Sequence, residues 1–153
     1  MTRRLVRPSV LSAVMLTFVI AGGVSPPPAA ADSVQLLRDA VAATRAASCN
    51  PLGDDPVVTQ AAYQINLSNV VWLNHESRAV PAPDALPVLK DLGYQGNKAT
   101  ILYGAGKNEA DSIKALVLQG YAKIPDCSYS DAGFSVLQDT SAGWIMSLVV
   151  LAG

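Results

Sequence analysis

Apolar positions recur at three- and four-residue spacing through the first two thirds of the chain and at two-residue spacing near its end. Val34, Leu37, Val41 and Thr44 form one stripe, with Arg38, Asp39 and Arg45 off it. Asp32 and Ser33 stand in front as capping types, so a first helix is expected from there to about Ala47. Cys49-Asn50-Pro51-Leu52-Gly53 breaks it. Asp54-Asp55-Pro56 restarts a helix with an acidic cap and a proline in the first turn, and Val57, Val58, Ala61, Ala62, Ile65 and Leu67 carry it toward Ser68 or beyond, ending before Asn74. After a turn-like stretch from Ser77 to Pro83, Asp84 to Leu92 reads as a short helix stopped by Gly93. Tyr94 to Tyr103 is more extended, with Gly104 and Gly106 closing it. Asn108 then caps a helix through Glu109, Ile113, Leu116, Val117 and Tyr121, with Pro125 as its stop. Beyond Cys127 the period becomes two. Gly133 to Leu137 and Trp144 to Leu151 read as strands joined across Asp139 to Gly143. The run Ile145 to Leu151 is too apolar for an exposed edge and is expected to be a central strand covered on both faces. Helices followed by a C-terminal hairpin, without repeated strand-helix-strand units, predict an α/β fold: a three-layer α-β-α sandwich around a small, largely antiparallel sheet, in one domain of about Asp32 to Gly153.

The residues before that domain read as an export signal. Arg3, Arg4 and Arg7 precede an apolar run from Val10 to Val24, followed by Ser25, three prolines and Ala29-Ala30-Ala31, whose small side chains suit signal peptidase. The run is about 15 residues, short of the roughly 20 that cross a bilayer. The expectation is a signal peptide over residues 1–31, cleavage before Asp32, and a mature protein without a membrane span, secreted or held in the cell envelope. Arg3-Arg4 hint at a twin-arginine signal, but Arg7 and Pro8 interrupt the apolar residues that should follow.

Composition narrows the functions. Half of the residues are hydrophobic and 15% charged, which excludes a disordered tail. Without the leader the chain keeps 8 basic residues against 12 acidic ones, a net charge near −4, which argues against nucleic acid as a partner. Cys49 and Cys127 both lie in the exported part, where an oxidising compartment allows a disulfide. Only one intramolecular pairing exists. The competing role, a thiol nucleophile, requires reducing conditions.

The order of these segments resembles the CAP superfamily, the secreted domain shared by cysteine-rich secretory proteins, antigen 5 and pathogenesis-related proteins of class 1. Asn50 to Ala62 resembles that family's "PL..D..L...A" helix start, and His75 with Glu76-Ser77 resembles the histidine that follows this helix. Leu92-Gly93-Tyr94-Gln95-Gly96-Asn97-Lys98 is similar to the "GY.GEN" segment, and Tyr129 to Val136 to the "ft..GvGv" strand. Family members with a complete pocket offer two histidines and two glutamates to a divalent metal. Here only His75 falls on a matching position. Asn97 stands where a glutamate would be, and the chain contains no second histidine, so the resemblance implies the scaffold without its metal or any other cofactor.

His75 is the one side chain whose charge changes near neutral pH, and Glu76 beside it can bias that change. The plainer role is a capping or hydrogen-bonded histidine at a helix end. As a general base it needs a nucleophile, and Ser68, Ser77, Ser128 and Ser135 are present without a glycine-serine-glycine elbow. Gly104-Ala105-Gly106-Lys107 has neither the glycine spacing nor the following serine or threonine of a phosphate loop, and reads as a turn. Trp72, Tyr94, Tyr103, Tyr121, Tyr129 and Trp144 are candidates to line an apolar pocket, and the resemblance implies such a pocket because some CAP proteins bind sterols and fatty acids. Core and rim packing is their plainer role. The expected function is a non-catalytic module binding a lipid, another apolar small molecule, or a protein, with His75, Tyr94, Asn97 and Tyr103 at the site. The alternative is a secreted hydrolase using His75, with Glu76 beside it.

Overall fold

The computed structural model describes residues 28–153. The leader's arginines and apolar run lie outside them. Helix α1 (Pro28–Arg45) is followed by a two-residue strand β1 (Gly53–Asp54), helix α2 (Pro56–Leu73), helix α3 (Ala85–Asp91), strand β2 (Ala99–Gly106), helix α4 (Glu109–Gln119) and strands β3 (Asp131–Asp139) and β4 (Trp144–Ala152). The sheet order is β1-β3-β4-β2. β4 is antiparallel to both neighbours, and only the short β1 pairs in parallel with β3. The sheet is therefore largely antiparallel, and its apolar C-terminal strand is central, as its composition predicts.

Side chains alternate across β4 and divide the core in two. Val149 and Leu151 join Leu37 and Val41 of α1, Leu102 of β2, Leu116 of α4 and Phe134 of β3. Leu148, Val150 and Ala152 meet Val58, Ala61, Ala62 and Ile65 of α2 with Ala85 and Leu89 of α3. α1 and α4 thus cover one face and α2 and α3 the other, giving three α/β layers. Polar groups inside are paired. Asn66 Nδ2 of α2 donates to Ser135 Oγ and to the Met146 carbonyl, both at 3.0 Å, and the Ser112 and Ser147 hydroxyls lie 2.8 Å apart. Among the described residues no buried side-chain nitrogen or oxygen lacks a partner.

The capping signals hold at three helices. Asp55 Oδ1 accepts from the N–H groups of Val57 and Val58, Asp84 Oδ1 from Leu86, and Asn108 Oδ1 from Asp111. Four readings need correction. α1 starts at Pro28, so Asp32 and Ser33 lie inside it. Proline suits a first helical turn and the alanines after it favour helix, and Ser33 Oγ bonds to Glu109 of α4 instead of capping. α4 stops at Gln119, leaving Tyr121 exposed beyond it. The pairing of Gly53 and Asp54 with Asp131 and Ala132 is too short to leave a periodic trace in sequence. Finally, Gly104 and Gly106 do not close β2 but belong to it. A Cβ on Gly104 would sit 2.1 Å from the Ser112 carbonyl oxygen and 2.5 Å from the Leu116 nitrogen. These glycines let α4 lie directly against the strand.

Candidate ligand-binding site

α2 ends in a motif that brings His75 to the site. His75 N–H donates to the Trp72 carbonyl and Glu76 N–H to the Val71 carbonyl, both at 3.0 Å, around the C-cap Asn74. This is the Schellman arrangement, whose turning residue adopts a left-handed conformation and is usually glycine. α3 ends the same way, with Gly93 at φ +91°. At the end of α2 the turning residue is His75, at φ +60°. A side chain is kept where glycine folds more easily.

That side chain lines a groove of about 480 Å³ with Leu73, Asn74, Ala105, Asp139, Ser141, Trp144 and Met146. Leu73 and Met146 also line a second groove, of about 600 Å³, completed by Ile65, Trp72, Val80, Pro81, Pro83, Ile101, Tyr103 and Gln119. The two form adjoining parts of one surface on the α2 face, between the end of α2, the 80–83 segment and β2. Apolar residues are unusually exposed along it: Trp72 at 41%, Tyr103 at 54% and Val80 at 77%. Sequence reasoning found His75, Tyr103 and Trp72. It missed Val80, Pro81 and Pro83, whose apolar side chains within a turn-like segment were the available signal.

Tyr94 and Asn97 lie elsewhere. Asn97 N–H donates to the Gly153 carbonyl, at the end of β2 where that strand begins. The eight-residue strand carries the chain about 26 Å from there to the His75 groove. Tyr94 Oη donates to Asp131 Oδ2 at 2.7 Å. Burial, and then this bond, raise its pKa to about 12. Of the other aromatics, Tyr129 is buried in the core beneath α1, whereas Trp144 lines the His75 groove. A further groove of about 450 Å³ runs along α1, lined in part by Arg38, Arg45, Leu52, Asp54 and Phe134. Arg38 pairs with Asp54 there and lies over the Phe134 ring.

The chemistry of the His75 groove is limited. Ser141, His75 and Asp139 share it, but Ser141 Oγ bonds to Asp139 Oδ1 and Asn74 Oδ1. The imidazole makes no hydrogen bond to any described residue. The Ser141 hydroxyl, followed by burial and the main-chain N–H groups of the turn, moves the Asp139 carboxyl, with a net lowering of its pKa. The nucleophile is thus bonded to a carboxylate and not to the base that would activate it. The metal site that the resemblance brings to mind does not fit either. Among the described residues no three His, Cys, Asp or Glu side chains come together to hold an ion, and Asn97 is at the far end of β2.

Cys49 and Cys127 are joined by a disulfide with Cα atoms 5.3 Å apart. The guanidinium of Arg45, 3% exposed, works beside it. It donates to the carbonyls of Asn50, Ile124, Asp126 and Tyr129 at 2.7 to 3.1 Å. Disulfide and arginine together fasten the end of α1 to the loop that leads into β3. No helix among the described residues is long and apolar enough to cross a membrane.

No family model matches the chain, and no curated protein matches it. Solved structures do resemble it. One is an outer surface protein from Borrelia burgdorferi, with a TM-score of 0.59 at 12% identity over 79% of this chain and 92% of that one. Another is a cysteine-rich secretory protein from Staphylococcus aureus subsp. aureus Mu50, with a TM-score of 0.58 at 13% identity, covering 83% of this chain and 40% of that one. The chain therefore spans less than half of the staphylococcal protein. At these identities the likeness is one of fold, and the three-layer α/β fold of this chain is CAP-like.

Proposed function

We propose that this chain is a CAP-like binding module, exported and disulfide-stapled, that takes an apolar ligand in the paired grooves on its α2 face and carries no catalytic metal. The observation that carries the reading is the run of exposed apolar side chains around those grooves, with Trp72, Tyr103 and Val80 at its rim. The strained His75 supports it, because a non-glycine residue at that turn places a polar group at the groove's end. His75 and Tyr103 are the proposed contacts. Tyr94 and Asn97 drop out of the ligand set because they lie at the other end of β2. Export is supported by the leader-like residues 1–31, by a disulfide suited to an oxidising compartment, and by the names of the two similar structures, an outer surface protein and a secretory protein.

Both tryptophans of the chain line these grooves, so their fluorescence reports occupancy. Titration with oleate or a sterol should change it, and Trp72→Ala should weaken binding about tenfold, the effect of losing one large apolar contact. Native mass spectrometry of the exported protein should show a co-purifying apolar mass removed by solvent extraction. The hydrolase alternative rests on His75, Ser141 and Asp139 sharing one groove. It requires ester or peptide turnover that falls at least about a hundredfold in His75→Ala. Such turnover would replace the binding reading.

A further inference from the structure

Among the described residues β2 is an outer strand of the sheet, with β4 as its one strand partner. Lys98 and Gly153 exchange both main-chain hydrogen bonds, each at 2.9 Å. Followed along the one-to-one register from that pair, Thr100, Leu102, Gly104 and Gly106 bond to β4. Ala99, Ile101, Tyr103 and Ala105 then turn their N–H and C=O groups away from the sheet. One of these outward groups is already engaged. The Tyr103 N–H donates to Gln119 Oε1 at 2.7 Å, so a side-chain amide sits where the carbonyl of a further strand would sit.

This edge lacks the usual guards against pairing. Ala99 to Gly106 contains no charged residue and no proline, although charges, prolines and bulges are what commonly keep edge strands single. Tyr103 and Ala105 are exposed, and their side chains lie on the groove face: Tyr103 with Trp72 and Val80, Ala105 with His75. Hydrogen-bonding groups and apolar groove therefore run side by side.

We propose that the outer edge of β2 docks an extended segment of a protein partner, which pairs with Ile101 to Ala105 as an added strand. It displaces the Gln119 carboxamide from Tyr103 and lays alternate apolar side chains into the groove of Trp72, Leu73 and Val80. The assignment rests on the binding-module reading and specifies its occupant as one carrying a peptide backbone. A lipid would fill the groove and leave the row of outward amides untouched.

The test uses the full chain with its disulfide intact. Random peptides of about nine residues, long enough to span the strand, are displayed and selected on it, and the leading sequence is synthesised and titrated. Ala105→Pro removes an outward N–H without breaking a bond to β4 and should weaken that peptide at least about tenfold. Gln119→Ala frees the Tyr103 N–H and should tighten the peptide about fivefold, the scale of one competing hydrogen bond. That variant keeps the test decisive if the proline variant folds poorly. Peptide binding should also slow amide exchange at Tyr103 and Ala105. Failure to select any peptide, peptide binding indifferent to both substitutions, or dimers of the chain paired through β2 would overturn the proposal. Trp72→Ala separates it from the reading beneath it. If oleate binds and responds to Trp72→Ala while no peptide binds, the groove reading stands and the edge proposal falls. If Trp72→Ala changes neither ligand, both fall.

Discussion

Arg45 carries a full charge into the interior, has no carboxylate partner among the described residues, and distributes its charge over four carbonyl oxygens. Such a charge is tolerated because each of its three nitrogens donates to a carbonyl, filling four of the five N–H donors. Arg45→Ala should therefore cost about 3 kcal/mol in chemical denaturation, and Arg45→Lys should recover little of it, since an ammonium cannot reach the same four acceptors. Tyr94 gives a pH signature. Its phenol is held neutral to about pH 12 by burial and by donation to Asp131. A raised folded pKa means that its contribution is complete below the ordinary phenol value of about 10 and is lost as pH rises through about 12. Ultraviolet titration should show a late phenolate that is absent in Tyr94→Phe. Asp126 has the opposite sign. The Ser128 hydroxyl and N–H, and then Lys98, hold its carboxyl well below the usual range. Its contribution is present above about pH 4 and is lost on deeper acidification.

At the scale of elements, α2 and α3 stop in the same way with different turning residues, Gly93 and His75. His75→Gly should raise stability by up to about 1 kcal/mol, because the left-handed conformation no longer opposes a side chain. On the binding reading the same change weakens the ligand. A variant both less stable and unaltered in binding would contradict both statements. Gly104→Ala should cost about 3 kcal/mol or more, since the added carbon meets backbone of α4 that cannot swing aside. These two places also mark what could be read from sequence. Asp55-Pro56, Asp84 and Asn108 announce helices because capping is local chemistry. The alternation from Trp144 onward announces a strand because its period is local too. Whether glycine in Gly104-Ala105-Gly106 turns the chain or admits a helix depends on α4, and no local pattern carries that. The site follows the same division. His75 and Tyr103 were legible as residues worth attention, but the grouping of His75 with Asp139 and Trp144, and its separation from Asn97, follow from strand order and length.

At the scale of the whole molecule, the disulfide and Arg45 fasten the same two segments, 78 residues apart in sequence. In the chain-entropy view a loop of that length stabilises the fold by about 4 kcal/mol. Reduction, or replacement of both cysteines by serine, should lower Tm by about 15 °C in a scanning melt, with the Arg45 clamp holding the loop in place at moderate temperature. β4 has a further consequence, for the order in which the chain acquires structure. It is the last of the four strands in sequence, yet β2 and β3 pair only through it and both halves of the core meet on its two faces. A growing chain stopped before Trp144 has its helices, the short β1 beside β3, and β2 with no strand to join it to β3. Such an intermediate should remain protease-sensitive throughout, and resistance should appear in one step once Trp144 to Ala152 has emerged, because both halves of the core close only on that strand.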